Sequence, residues 1–506
     1  MAALLPSTSS PRAKVSPSSS ALGAWEAPRR PATFWAIYAA LNFCLLALVL
    51  YGLASNPYAS LGTGLFVLAL GAVCGLPLLA ARSAQDRHSL SVVFLGLFFL
   101  SFATGDIGLL LSGQRMGGGS ELPTTTELVI IVSAICFLMG YWLALSFGRR
   151  NTAGICKREW ATPFVRIIAI AFWIVGLVSV YFIQTSFDKV LASPFWSQLA
   201  GILSLARLLN PLGALMMVYL YIRRGDRVAL IAFLVFAACD FLMGLYGDTK
   251  EQAFRDPILY LITRFLLTRK IPIFAAFVLF AVAGATFSFF AEFRDEFKAN
   301  QRSRAEAFEV VVNSFFSATT EPGKAADDES MSKRFAAGLD YVASRTGLKP
   351  SVEIIVTGTG VRAPFMEGKT IAPLFYAFIP RNFMPDKPDS SVGQTFNRAF
   401  KISEDRDTYI SPSMNGELYW NFGWPGVVLG MTLMGIILSI VSRAVDLSKQ
   451  ITLPRLLILM MTVYLVCLRF EDGVAIQFTY WLRAVLLLLI IHALMPKQRQ
   501  TEQPAQ

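Results

Sequence analysis

Charge is scarce in this chain. Only 16% of its 506 residues are Asp, Glu, Lys or Arg, while 55% are hydrophobic and 40 are phenylalanine. An ordinary soluble domain carries roughly 25% charge. The apolar surplus comes in runs long enough to cross a bilayer, which takes about 20 residues, so a soluble enzyme is excluded. Histidine is nearly absent: His88 and His492 are the only two. The six cysteines (44, 74, 136, 156, 239 and 467) are scattered, with no C-x-x-C pair, and five lie in apolar runs. That leaves no disulfide framework and no zinc or iron–sulfur spacing, and the thiols read as small hydrophobes. No G-x-x-x-x-G-K-[ST] occurs, so nucleotide hydrolysis of that kind is excluded.

The net charge of +11 does not point to nucleic acid. Residues 292–416 hold 16 basic and 17 acidic side chains, so the basic excess lies elsewhere, in short segments between apolar runs. There it reports membrane orientation. Twelve runs of spanning length are expected, near 33–53, 60–81, 89–111, 126–147, 163–184, 206–222, 228–246, 252–268, 271–290, 418–441, 453–470 and 476–495. With the N-terminus cytoplasmic, every inside segment is basic: Arg29 and Arg30, Arg82 and Arg87, Arg149 and Arg150, Arg223 and Arg224, Arg269 and Lys270, Arg443 and Arg455, Lys497 and Arg499. The short outside loops hold only Arg115, Lys189, Lys250 and Arg255, with Arg469 at a border.

The expected fold is an all-α polytopic membrane protein of about 12 transmembrane helices. Its regions are a disordered cytoplasmic tail (1–31), nine spans (32–291), a large outer loop with amphipathic helices (292–416), three more spans (417–496) and a second cytoplasmic tail (497–506).

Charges inside spans are costly, so their depth is informative. Asp106, Arg207, Asp240, Arg469 and Arg483 all fall in the outer half of the membrane, and Arg264 near the inner end. The five suggest a polar cavity beneath the loop, although each alone reads equally as a snorkelling residue or a structural ion pair. Within the loop, Gln301–Ser317 and Asp328–Arg345 carry apolar residues at helical spacing. Ile371–Ile379 is apolar but too short to span; it either re-enters the membrane or lies in the interface. It leads into Pro380-Arg381-Asn382 and Pro385-Asp386-Lys387-Pro388, whose prolines would hold Arg381 and Lys387 at headgroup depth. Glu417 opens the tenth span, where a helix dipole favours an anion. Tyr419, Trp420 and Trp424 suit an interfacial aromatic belt or a sugar platform. Both histidines are on the cytoplasmic side, so none serves as an outer base. The first outside loop has no acidic pair, which disfavours divalent-metal catalysis.

Three features together resemble the Wzy-type O-antigen, or oligosaccharide repeat-unit, polymerases of bacteria. These are Ile379-Pro-Arg381…Lys387-Pro388 after a large outer loop, Asn415-Gly-Glu-Leu-Tyr-Trp-Asn-Phe-Gly423 entering the next span, and Lys250/Arg255 at the outer start of the eighth. The resemblance implies a multi-pass inner-membrane glycosyltransferase of GT-C-like architecture. It would move a growing glycan from undecaprenyl pyrophosphate onto the next lipid-linked repeat unit, with inversion and without metal or other cofactor. Its partners would be that lipid-linked substrate, membrane lipid, and a chain-length regulator and flippase, with no nucleic acid. On this reading Glu417 and Arg381 are catalytic, with Asp386 and Asp389 as further candidates for the base. Lys250, Arg255, Arg294, Lys387, Arg469, Arg483, Tyr419 and Asn421 bind the substrate or its pyrophosphate. The arginine–fifteen residues–glycine pattern of some members is not found at Arg294, Arg345, Arg362, Arg381 or Arg398. The outer histidine of the related ligases is also missing, which favours a polymerase. The rival readings are a lipid or polysaccharide flippase and another lipid-carrier-dependent transferase or ligase.

Overall fold

Long apolar stretches leave the backbone no partner but itself inside a bilayer, so they form helices. The computed structural model describes residues 31–57, 59–80, 89–112, 124–147, 155, 156, 158–185, 194–247, 249–268, 272–294, 296, 297, 304–317, 347–377, 379, 384, 392–405, 408–445 and 451–497. Over these it is all-helical. In chain order the helices are α1 (Pro31–Ser55), α2 (Leu61–Ala80), α3 (Ser89–Ser112), α4 (Thr125–Phe147), α5 (Thr162–Thr185), α6 (Pro194–Ala206), α7 (Leu209–Arg224), α8 (Arg227–Tyr246) and α9 (Lys250–Thr268). There follow α10 (Ile273–Arg294), α11 (Arg304–Ser317), α12 (Lys349–Gly358), α13 (Val392–Phe400), α14 (Met414–Val445), α15 (Leu453–Thr462) and α16 (Val474–Leu494).

Nine candidate spans stand out among the described residues by length and apolarity. They match nine of the twelve expected runs, with Gly201–Arg224 formed by the end of α6 together with α7. The other three are also helical. Helix α9 carries Lys250, Glu251, Arg255, Asp256 and Arg264, too many charges to stand out by composition. In α10 the apolar stretch is Ile273–Ala283. The stretch Leu453–Cys467 is short but crosses the bundle: Leu453 N–H meets Glu159 at one end, and Phe470 accepts from Met414 N–H at the other. Residues 451–467 are buried throughout. Surrounded by protein instead of lipid, this segment can be shorter than a lipid-facing span. Its last turn, Val463–Cys467, is a π-helix, a form frequent at functional sites.

Small residues allow close helix crossings, as membrane packing requires. Helices α4 and α14 meet at Gly140 and Gly435: a Cβ on Gly140 would lie 2.0 Å from Thr432 O, and one on Gly435 would lie 2.0 Å from Phe137 O. Helix α14 is broken at Gly423, whose φ of 63° and ψ of −145° only glycine adopts readily. Pro425 follows, suited to a first turn where its missing N–H costs nothing. The two halves fold against each other, since a Cβ on Gly426 would lie 2.2 Å from Leu418 O.

The segments that the basic bias puts on one side gather at one end. Ile155 N–H donates to Ala444 O, Ala161 N–H to Pro496 O, Arg455 Nε to Ile155 O at 2.8 Å, and Trp160 Nε1 to His492 Nδ1 at 2.9 Å. Only one of the two amphipathic segments expected in the loop falls within the described residues. Helix α11 realises the first amphipathic segment, with Val311 buried beside Phe289, Phe290 and Phe293. The second, Asp328–Arg345, lies wholly outside the described residues, as do the two tails except for Pro31 and Lys497.

Candidate functional site at one end of the bundle

At the end opposite the 155–161 segment, α14, α16 and the returning loop meet around Glu417. Its side chain is fully buried. Oε2 accepts from Val474 N–H at 2.5 Å. Val474 is the first residue of α16, and the residue before it, Gly473, offers no side chain to cap the helix. Glu417 therefore caps α16 across the bundle, with its charge at the positive end of that dipole. Its other oxygen, Oε1, has no hydrogen-bond partner among the described residues, and Thr370 stands beside the carboxylate.

Asn421, one turn on, is fully engaged. Its Nδ2 donates to Thr370 Oγ1 at 2.7 Å and to Glu417 O at 2.8 Å, and its Oδ1 accepts from Gly368 N–H at 2.8 Å. It fastens the loop turn at Gly368 (φ 87°) to α14. Met366 N–H and Glu367 N–H donate to Trp420 O and Asn421 O, which satisfies carbonyls freed by the break at Gly423. Tyr419 is half-buried, its ring edge-on to Trp424 at 6.2 Å. Further along the same loop, Arg483 Nη2 donates to Ala377 O at 2.5 Å. Arg483 is nine residues into α16, roughly 14 Å along it at 1.5 Å per residue. Ala377 of the Ile371–Ile379 segment thus packs against α16 well past its first turn.

A second polar cluster lies nearby. Asp240 Oδ2 accepts from Arg255 Nη2 and from Trp173 Nε1, both at 3.1 Å, and Oδ1 from Asn210 Nδ2 at 3.1 Å. Arg255 Nε also bonds Asp256 Oδ1 at 2.8 Å, and Nη2 reaches Asn210. Arg255 is thus buried and committed to two carboxylates. Its guanidinium lies over the Tyr464 ring, whose hydroxyl donates to Glu251. Glu251 in turn faces Arg469 at 3.5 Å, and Arg469 Nε is 2.7 Å from Asp472.

A third cluster ties the loop to the bundle. Lys349, opening α12, pairs with Asp106 of α3 at 2.8 Å and Glu127 of α4 at 2.6 Å, above the Phe66 ring. Burial pulls its ammonium pKa down, but the two carboxylates outweigh burial and hold it above the ordinary lysine value.

The structure thus brings together Glu417, Asn421, Tyr419 and Arg483 near the loop, and Arg255 with Arg469 in the adjoining cluster. The side chain of Arg294 and the whole of Arg381, Asp386, Lys387 and Asp389 lie outside the described residues, and Lys250 is half-buried where α9 begins. Of the five charges expected in the outer half of the membrane, four have close partners: Asp106, Asp240, Arg469 and Arg483. Arg207 lies over the Tyr480 ring. Sequence reading missed Lys349, Thr370, Asn210, Glu251 and Asp472. Only Glu251 had a legible signal, as an acid between Lys250 and Arg255.

Fold and site together define a multi-pass membrane protein with one polar, charge-paired end. The family model for O-antigen polysaccharide polymerase Wzy matches residues 411–499. That stretch holds Glu417, Tyr419, Asn421, Arg469 and Arg483, and the match bears out the Wzy-type resemblance read from the sequence. No curated protein and no solved structure matches the chain.

Proposed function

We propose that the protein polymerises lipid-linked oligosaccharide repeat units into O-antigen or a related polysaccharide. The observation that carries this reading is the family match over residues 411–499, which coincides with the buried Glu417 and its surroundings. In the reaction, a hydroxyl oxygen of one lipid-linked unit attacks the sugar C1 of the growing chain. The C1–O bond to undecaprenyl pyrophosphate breaks, and the lipid pyrophosphate leaves with the electron pair. Attack from the opposite face inverts C1. Glu417 Oε1, without a hydrogen-bond partner among the described residues, takes the hydroxyl proton. Arg381, with Lys387 and Arg294, meets the charge that builds on the leaving group. The activated donor supplies the driving force, so neither metal nor nucleotide is required. Arg255, Arg469 and Arg483 hold partners of their own and act in this scheme mainly by fixing the site, as do Asn421 and Tyr419. Lys250 stands where α9 begins, beside them.

The reading includes twelve spans in a GT-C-like bundle, both termini cytoplasmic, and the loop 292–416 on the periplasmic face of a bacterial inner membrane. A chain-length regulator and a flippase would work beside it. A deletion strain tests the function: loss of a polymerase leaves surface material with one repeat unit, whereas loss of a flippase leaves none. A reporter active only in the cytoplasm, fused near Asp340, tests the topology and should be silent.

A further inference from the structure

Three arginines face one region, and they differ in what they are bound to. Arg255 is closed off by Asp240 and Asp256, and Arg469 is shared by Glu251 and Asp472. Arg207 sits in the break between α6 and α7, half-buried, with its guanidinium 5.9 Å from the centre of the Tyr480 ring. Among the described residues no carboxylate pairs with it, although Glu251, Asp472 and Tyr464 lie within its electrostatic reach. The side chain of Glu251 is 39% exposed, so the cluster is open to a ligand on that side. Deeper in, Gln477 Nε2 donates to the carbonyls of Arg469 and Asp472, and its buried Oε1 has no donor among the described residues.

The charge balance decides what such a cup would take. Its basic groups are Arg207, Arg255, Arg469 and, at the rim, Lys250; its acidic groups are Asp240, Asp256, Glu251, Asp472 and Glu471. Arg255 and Arg469 already hold carboxylates, so little uncommitted positive charge is left to meet a pyrophosphate. A neutral polyol is suited instead: each hydroxyl both donates and accepts, and the cup offers a donor fork in Arg207 beside acceptors in Glu251 and Gln477. Tyr480, already carrying Arg207 on its ring, supplies an apolar face for C–H bonds. We infer that Arg207, Glu251, Tyr480 and Gln477 form a subsite for glycan hydroxyls and not for pyrophosphate. On the polymerase reading, on which this assignment rests, the subsite holds sugar of a repeat unit and sets which sugar is accepted.

The test uses the full-length protein purified in detergent and two probes: the strain's own repeat-unit oligosaccharide, freed from its lipid by mild acid, and inorganic pyrophosphate. Calorimetric titration should show saturable binding of the oligosaccharide. Losing one charged hydrogen-bonding group should weaken it about tenfold in Arg207→Ala, less in Arg207→Lys. Tyr480→Leu should weaken it as well, which keeps the test available if one variant folds poorly. Pyrophosphate affinity should be unchanged by either substitution. The assignment is overturned if the oligosaccharide does not bind saturably, if both variants bind it normally, or if Arg207→Ala removes pyrophosphate binding instead. The polymerase reading fails separately, by a deletion strain that still makes long polymer.

Discussion

Glu417 and Val474 are 57 residues apart in the chain, yet the carboxylate of one accepts the first backbone N–H of the other's helix at 2.5 Å. Through this bond the entrance of α14 fixes the start of α16, and with it the depth of Arg483. On the polymerase reading it also divides the two oxygens of Glu417 between two tasks. Oε2 is held by α16, while Oε1 is hydrogen-bonded to none of the described residues and the Thr370 hydroxyl lies close to the carboxylate. A base needs such an oxygen, already oriented by its twin.

Glu417→Gln separates the two tasks. The amide oxygen still accepts from Val474 N–H, so the cap survives, but the group no longer takes up a proton. Polymerisation should fall by about 10²-fold or more, the low end of what a general base contributes, with membrane abundance unchanged. Glu417→Ala should lower abundance as well, since a lost helix cap costs about 0.5–2 kcal/mol. Immunoblotting and glycan length measured on the same cells check both. Normal-length polymer from the Gln variant would leave Glu417 with its capping task alone.

Arg255 and Arg381 should fail in different ways. Removing Arg255 strands Asp240 and Asp256, both buried. Breaking a buried pair by deleting one partner costs about 3–5 kcal/mol, so Arg255→Ala should reduce the amount of folded protein. Arg381→Ala should abolish polymer at normal abundance, and Arg381→Lys should recover only part of it, because lysine keeps the charge without the planar fork. Normal protein levels with Arg255→Ala would argue that its ion pairs contribute little to the fold.

The crossing of α4 and α14 rests on glycine. At Gly435 a methyl group would meet Phe137 O at 2.0 Å and Tyr141 N at 2.7 Å, both backbone atoms that a rotamer change cannot move. Gly435→Ala should therefore push the helices apart, at a cost of about 1–3 kcal/mol. A lower melting temperature of the detergent-purified protein would register it. Gly96, with nothing within 4 Å of its would-be Cβ, is the control.

How much of this was legible depends on range along the chain. Span positions are local, since a bilayer selects length and apolarity, and nine of the expected runs are found on that basis. Glu417 was legible too, as a lone acid where polar sequence turns apolar. Partners are a different matter. Asp240 and Asn210 are 30 residues apart, and Lys349 and Asp106 are 243 apart. Nothing periodic links such positions, so each charge could be placed at a depth but not paired. The break in α14 had a local cue, Gly423 two residues before Pro425. Its consequence did not: the freed carbonyls are met by Met366 and Glu367 from a loop more than fifty residues upstream.

Lys349 gives the last test, because it is the loop's charged anchor on the bundle. Its folded-state pKa is raised by Asp106 and Glu127 against the pull of burial. A raised lysine pKa stabilises the folded state fully below the unfolded value near 10.4 and loses that contribution as pH rises through the folded value. Thermal stability of the wild type should therefore fall off above about pH 10.4. Lys349→Met should lack that component of the fall and be less stable throughout the neutral range, since two buried carboxylates are left facing each other. Adding Asp106→Asn to Lys349→Met removes one of the stranded charges and should recover part of the loss. If Lys349→Met melted like the wild type at neutral pH, the triad would not hold α12, and docking of the loop would rest on Val352 and Ile355, both buried in the hydrophobic core.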